Sequence, residues 1–111
     1  MSEIPMRSVL DYLTDKLGPS LVGVMSGREG GAPLKTWMVR PPTGEDETRL
    51  RAGYEITKLL VDAEGVHIAR AWLIGMNPQL ADENPLMEIG KGNGATVLLA
   101  AKSYLEDPML T

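Results

Sequence analysis

Apolar residues in this chain recur at helical spacing between glycine and proline breaks, and no stretch of four or more alternates as a half-buried strand would. Met6, Leu10, Leu13 and Leu17 fall at i, i+4, i+7 and i+11, one face of a first helix ending at Gly18. Pro19 suits the first turn of a second helix, apolar at Leu21, Val22, Val24 and Met25, which stops near Gly27. Gly27, Gly30 and Gly31 supply a turn, and Pro33 opens a short third helix through Leu34, Lys35, Thr36 and Trp37. Pro41-Pro42 ends it, because a proline pushes the residue before it, Arg40, out of the α region.

Residues 45–64 carry the strongest helical pattern. Thr43 is placed to cap them, and Glu45, Asp46 and Glu47 set negative charge against the positive end of the helix dipole. Leu50, Gly53, Tyr54, Thr57, Leu60 and Val61 form a broad stripe to be buried. Arg51, Glu55, Lys58 and Asp62 alternate in sign on the opposite face, as a solvated ladder does. Gly65 breaks or kinks this helix, and a second apolar set follows in Val66, Ala69, Trp72 and Leu73. After a loop from Gly75 to Glu83, Asn84-Pro85 reads as a cap and first turn of a short helix through Ile89. Val97, Leu98, Ala101, Tyr104 and Leu105 mark a last amphipathic helix preceded by Asn93 or Gly94. The expected fold is an all-α, compact helical bundle, one domain or two small subdomains sharing a core.

At 111 residues the chain can bury roughly two thirds of its unfolded surface, enough to fold without disulfides or metal. It has no Phe, so aliphatic residues, seven Met, two Trp and three Tyr must fill the core. The absence of Cys removes disulfides, thiolate zinc sites and cysteine nucleophiles, and agrees with a reducing compartment. No apolar run reaches the roughly 20 residues of a membrane span, and residues 1–5 do not read as a signal peptide; a soluble, cytoplasmic protein is expected. Residues 1–44 carry five Lys/Arg against four Asp/Glu, whereas residues 45–111 carry six against eleven. The acidic back half suits contact with a basic protein surface better than with phosphate.

No catalytic or metal-binding set emerges. His67 is the only histidine and stands beside Arg70 without a second ligand at metal spacing. Asp82-Glu83 precede a helix start, where capping and solubility account for them. The glycines of GKGNG at 90–94 lack the preceding strand and the spacing of a dinucleotide loop, and read as a flexible link between two helices. No enzyme activity and no cofactor are expected. Residues 19–39, by contrast, have the proportions of a helix-turn-helix, with Leu34 and Trp37 inward, Lys35 and Thr36 outward, and Arg28 and Arg40 flanking. Those cations are candidate phosphate and base contacts.

Several blocks follow one another in a telling order: LGPSLVGVMSG, a Trp in KTW, TRLRAGYEITKLL, ARAWLIGMNPQLADENPLMEI and VLLAAKSYL. Together, over about residues 17 to 105, they resemble the small antitoxins of the Xre/MbcA/ParS-like family, particularly its actinobacterial members; the word at residues 69–85 is the specific part. At GKGNG the chain departs from relatives, which usually carry a charged, arginine-containing helix there. The resemblance implies an N-terminal Xre-like DNA-binding region, residues 1–44, and a toxin-binding and dimerisation region, residues 45–111. It implies a RES-domain, NAD-consuming toxin as partner, repression of the operon through operator DNA, and a homodimer. Carried onto this sequence, Ile74, Met76, Asn77, Pro78 and Leu80 would contact the toxin, with Trp72 as packing support. Arg28, Lys35, Thr36 and Arg40 would contact DNA. The competing expectation is a stand-alone helix-turn-helix regulator, of phage or mobile-element type, without a toxin.

Overall fold

The computed structural model describes residues 3–28 and 33–106, and in them the chain is all-α. Seven helices follow in order: α1 (Met6–Leu17), α2 (Pro19–Met25), α3 (Leu34–Val39), α4 (Gly44–Glu64), α5 (Val66–Ile74), α6 (Pro85–Gly90) and α7 (Gly94–Glu106). A single 3₁₀ turn, Pro78–Leu80, lies between α5 and α6. The glycine and proline breaks fall where the spacing put them. Gly18 and Gly65 close α1 and α4 with φ of +87° and +91°, a region that a side chain would disfavour. Arg40 is extended ahead of Pro41, which stops α3. Gly30 and Gly31, assigned to the turn before α3, lie outside the described residues.

The central helix is α4, which packs against α1, α2, α5, α6 and α7. Its buried side is Leu50, Gly53, Ile56, Thr57 and Leu60, with Tyr54 and Val61 half-buried at the margin. From the front half come Met6, Leu10, Leu13 and Leu17 of α1 and Val22 and Met25 of α2; from the back half come Leu73, Leu86, Ile89 and Val97. Each such aliphatic side chain contributes about 1.5–3 kcal/mol when fully buried, so one core draws on both halves. Thr43 occupies the cap position of α4, yet its side chain accepts no hydrogen bond. The start of this helix is instead stabilised by Glu45, Asp46 and Glu47 in its first turn.

Two glycines read as flexible punctuation are packing sites. A Cβ on Gly90 would overlap the carbonyl of Val24 and sit 3.2 Å from Gly27 Cα, so α2 and α6 meet backbone to backbone. A Cβ on Gly94 would lie 2.8 Å from that of Ala52, so α7 starts hard against α4. The GKGNG segment is therefore a tight turn between α6 and α7, in which Gly90 and Gly94 permit close approach and Gly92 takes a φ of +94°. Its turn is tied as well: Asn93 Nδ2 donates to Glu88 Oε1 at 3.0 Å, and Lys91 Nζ pairs with Glu88 at 3.1 Å. Together these hold the Glu88 carboxyl below its usual range, the lysine contributing most.

Candidate interaction surface

The segment joining α5 to α6 is built by two asparagines. Asn77 is buried; its side-chain Oδ1 accepts the Gln79 N–H at 2.9 Å, opening the 3₁₀ turn, and its carbonyl accepts the N–H groups of Leu80 and Asp82, both at 2.9 Å. Its own N–H donates to the Glu83 carbonyl at 3.1 Å, closing the loop as an isolated antiparallel bridge. Asn84 works across the loop's ends. Its Oδ1 caps α6 by accepting the Met87 N–H at 3.0 Å, while its Nδ2 donates to the carbonyl of Ile74 at 2.6 Å, the last residue of α5. One side chain thus starts one helix and satisfies an orphan carbonyl of another. Proline at 78 and at 85 fixes φ at the first position of both following turns. The tight return places Ala81 and Asp82 at φ of +56° and +64°, a left-handed geometry costing about 1–3 kcal/mol per non-glycine residue.

This construction sorts the five loop positions singled out by the sequence. Ile74, Met76 and Pro78 face outward, with Ile74 52% and Met76 79% exposed. Asn77 and Leu80 do not: they are 5% and 7% exposed, and the 3₁₀ turn carrying Leu80 packs on α7. Those two lie inside the loop and support its backbone from beneath. The tight 3₁₀ turn rotates Leu80 inward, and the backbone donors require Asn77 beneath the loop. The outward surface continues along α5 through Ile68 and Ala71, which the sequence reading left out. Their signal was there, since both lie opposite the buried Ala69 and Leu73 on the helix. Trp72 is half-buried and packs against Tyr104 with ring centroids 6.2 Å apart, a support beneath the surface.

The four residues assigned to DNA are split by the structure. Lys35 and Thr36 are exposed on α3, and Arg40 is exposed at its end. Arg28 is committed elsewhere: its Nη2 bonds Asp46 Oδ2 at 2.8 Å, and its guanidinium lies 5.6 Å from the centre of the Trp37 ring. That bridge and the burial of Trp37 link α3 to the body, while the Arg28 side chain stays 46% exposed. His67 is exposed on α5, and no group of three or more His, Cys, Asp or Glu side chains converges among the described residues. No helix among them is long and apolar enough to cross a membrane. No protein-family model, no curated protein and no solved structure matches this chain.

Proposed function

We propose that the protein is an antitoxin, a binding protein that neutralises a RES-domain, NAD-consuming toxin by covering it with the surface of Ile68, Ala71, Ile74, Met76 and Pro78. The observation that carries this reading is the loop itself: two asparagines and two prolines fix its backbone, while Ile74 and Met76 stand in water. Exposed apolar side chains on a pre-ordered backbone lose little entropy on docking, which favours tight protein–protein contact. The sequence resemblance, strongest in the same segment, supplies the class of partner. The test is co-expression with the product of the adjacent gene. The reading expects a stoichiometric complex that suppresses NAD loss in the host cell. Absence of a RES-domain gene beside this one, or a toxin left fully active by the purified chain, rejects it.

A second reading, operator binding by α2 and α3, is favoured by one observation: Lys35, Thr36 and Arg40 are exposed, and neither cation is ion-paired among the described residues. Such a protein acts as a repressor with or without a toxin. Each phosphate neutralised contributes a slope of about −0.9 to the log–log salt dependence, so two cations per chain give a shallow dependence. Lys35→Ala with Arg40→Ala abolishes band shifts at low salt if this reading holds, and leaves them unchanged if it does not.

A further inference from the structure

Apolar surface is exposed on α3 as well as on the α5–α6 loop. Trp37 anchors α3 to the core, yet Met38 and Val39 beside it are 61% and 83% exposed. Leu34 and Met38 stand four residues apart and so share one side of α3. On α1, Leu10 and Thr14 make one row and Asp11 and Asp15 the next, each pair again four residues apart. These six residues line a groove of about 310 Å³ between the two helices. An apolar row and an acidic row therefore run side by side, and the groove shares no residue with the loop surface.

The charge lining this groove is of one sign. Asp11 and Asp15 are both exposed, and none of Arg7, Lys16, Lys35 and Arg40 lines it. Asp11 has no ion pair among the described residues. Asp15 has only Lys16, its neighbour on the same helix, at 3.5 Å, and that ammonium also lies 5.6 Å from the centre of the Tyr12 ring. Two carboxylates beside an apolar floor repel phosphate and attract cations. A helix seated in such a groove fills it with apolar side chains three or four residues apart. Its flank then carries cations at a spacing of about 6 Å, one helical turn, to meet two carboxylates that are also one turn apart. We propose that this groove docks a basic amphipathic helix of a partner protein, whose apolar face covers Leu34 and Met38 and whose Lys or Arg side chains pair with Asp11 and Asp15. Charge complementarity selects that occupant over an acidic peptide or a nucleic acid.

Titration of the isotope-labelled whole chain with a helical peptide of leucine and lysine, followed by NMR, tests this. The probe carries its leucines at i, i+3, i+4 and i+7, and a control peptide has glutamate in place of lysine. The lysine peptide moves the amides of Leu10–Asp15 and Leu34–Val39; the glutamate peptide moves none of them. Asp11→Asn with Asp15→Asn weakens binding about tenfold or more, and Met38→Ala weakens it as well. Glu55→Gln, which removes an exposed carboxylate of α4 outside the groove, leaves the affinity unchanged. Circular dichroism stays that of wild type in every variant, because each replaced side chain is exposed. Shifts spread over α4 and the α5–α6 loop overturn the proposal, as does an affinity that falls equally with Glu55→Gln. A DNA duplex that moves the same amides, and binds more tightly once the two carboxylates are gone, makes phosphate the occupant and overturns it too.

Discussion

Asn84 performs two tasks with one side chain, and substitution can separate them. Asn84→Ala removes the cap on Met87 N–H and the clip to the Ile74 carbonyl, at 3.0 and 2.6 Å. Loss of an N-cap costs about 1 kcal/mol. The clip is solvent-accessible, so it falls at the low end of the hydrogen-bond range, about 0.5–1 kcal/mol. The sum, about 1.5–2 kcal/mol, lowers the melting temperature by about 6–8 °C in a domain of this size. Asn84→Asp keeps the cap acceptor and adds favourable charge at the start of α6, but turns a carboxylate oxygen toward the Ile74 carbonyl. At neutral pH it loses the clip alone. Protonation of the new carboxyl restores a donor, so its deficit relative to wild type shrinks as pH falls. Urea unfolding at pH 7 and pH 4 on the three proteins reads all of this. If Asn84→Ala lies within about 0.5 kcal/mol of wild type, the two-asparagine account of the loop is wrong.

Gly94→Ala forces α7 away from Ala52 and costs about 1–3 kcal/mol by overpacking; Ala52→Gly in the same chain recovers most of it, as chemical denaturation will show. Ala81→Gly relieves a left-handed alanine and stabilises by about 0.5–1 kcal/mol net of the added unfolded-state freedom, against the usual sign for glycine. Glu88 is held below its ordinary value by Lys91 and Asn93, so its contribution is present above the unfolded carboxyl value of about 4.3 and is lost as pH falls through that range. Glu88→Gln therefore loses less stability than wild type between pH 6 and pH 3, by urea midpoint; equal losses contradict the pairing.

Helix positions were legible because glycine and proline act locally: Gly18, Pro19, Gly65 and Asn84-Pro85 each set a boundary through their own backbone preferences. The inward face of α1 was equally plain, since the spacing of Met6, Leu10, Leu13 and Leu17 needs only the helical period. What local pattern could not carry was approach between distant segments. Gly90 and Gly94 looked like slack until Val24 and Ala52 were brought against them. The pairing of Arg28 with Asp46, 18 residues on, carried no local signal either. In the loop, the outward placement of Ile74, Met76 and Pro78 was anticipated, whereas Asn77 and Leu80 turned inward because a 3₁₀ turn has no long-range period to read. The ladder on α4 showed its alternation in sequence, but the groove it borders exists only once α7 is packed beside it.

The proposed function requires a rigid loop that presents Ile74, Met76 and Pro78 to a toxin. Titration calorimetry of the adjacent-gene RES-domain toxin with wild type and Met76→Asp tests it most directly. Met76 is 79% exposed, so the substitution leaves the melting temperature unchanged while placing an unpaired carboxylate in the interface. The account predicts tight one-to-one binding by wild type and an affinity lower by about tenfold or more in the variant. Equal affinity for both proteins, or no binding by either, contradicts it.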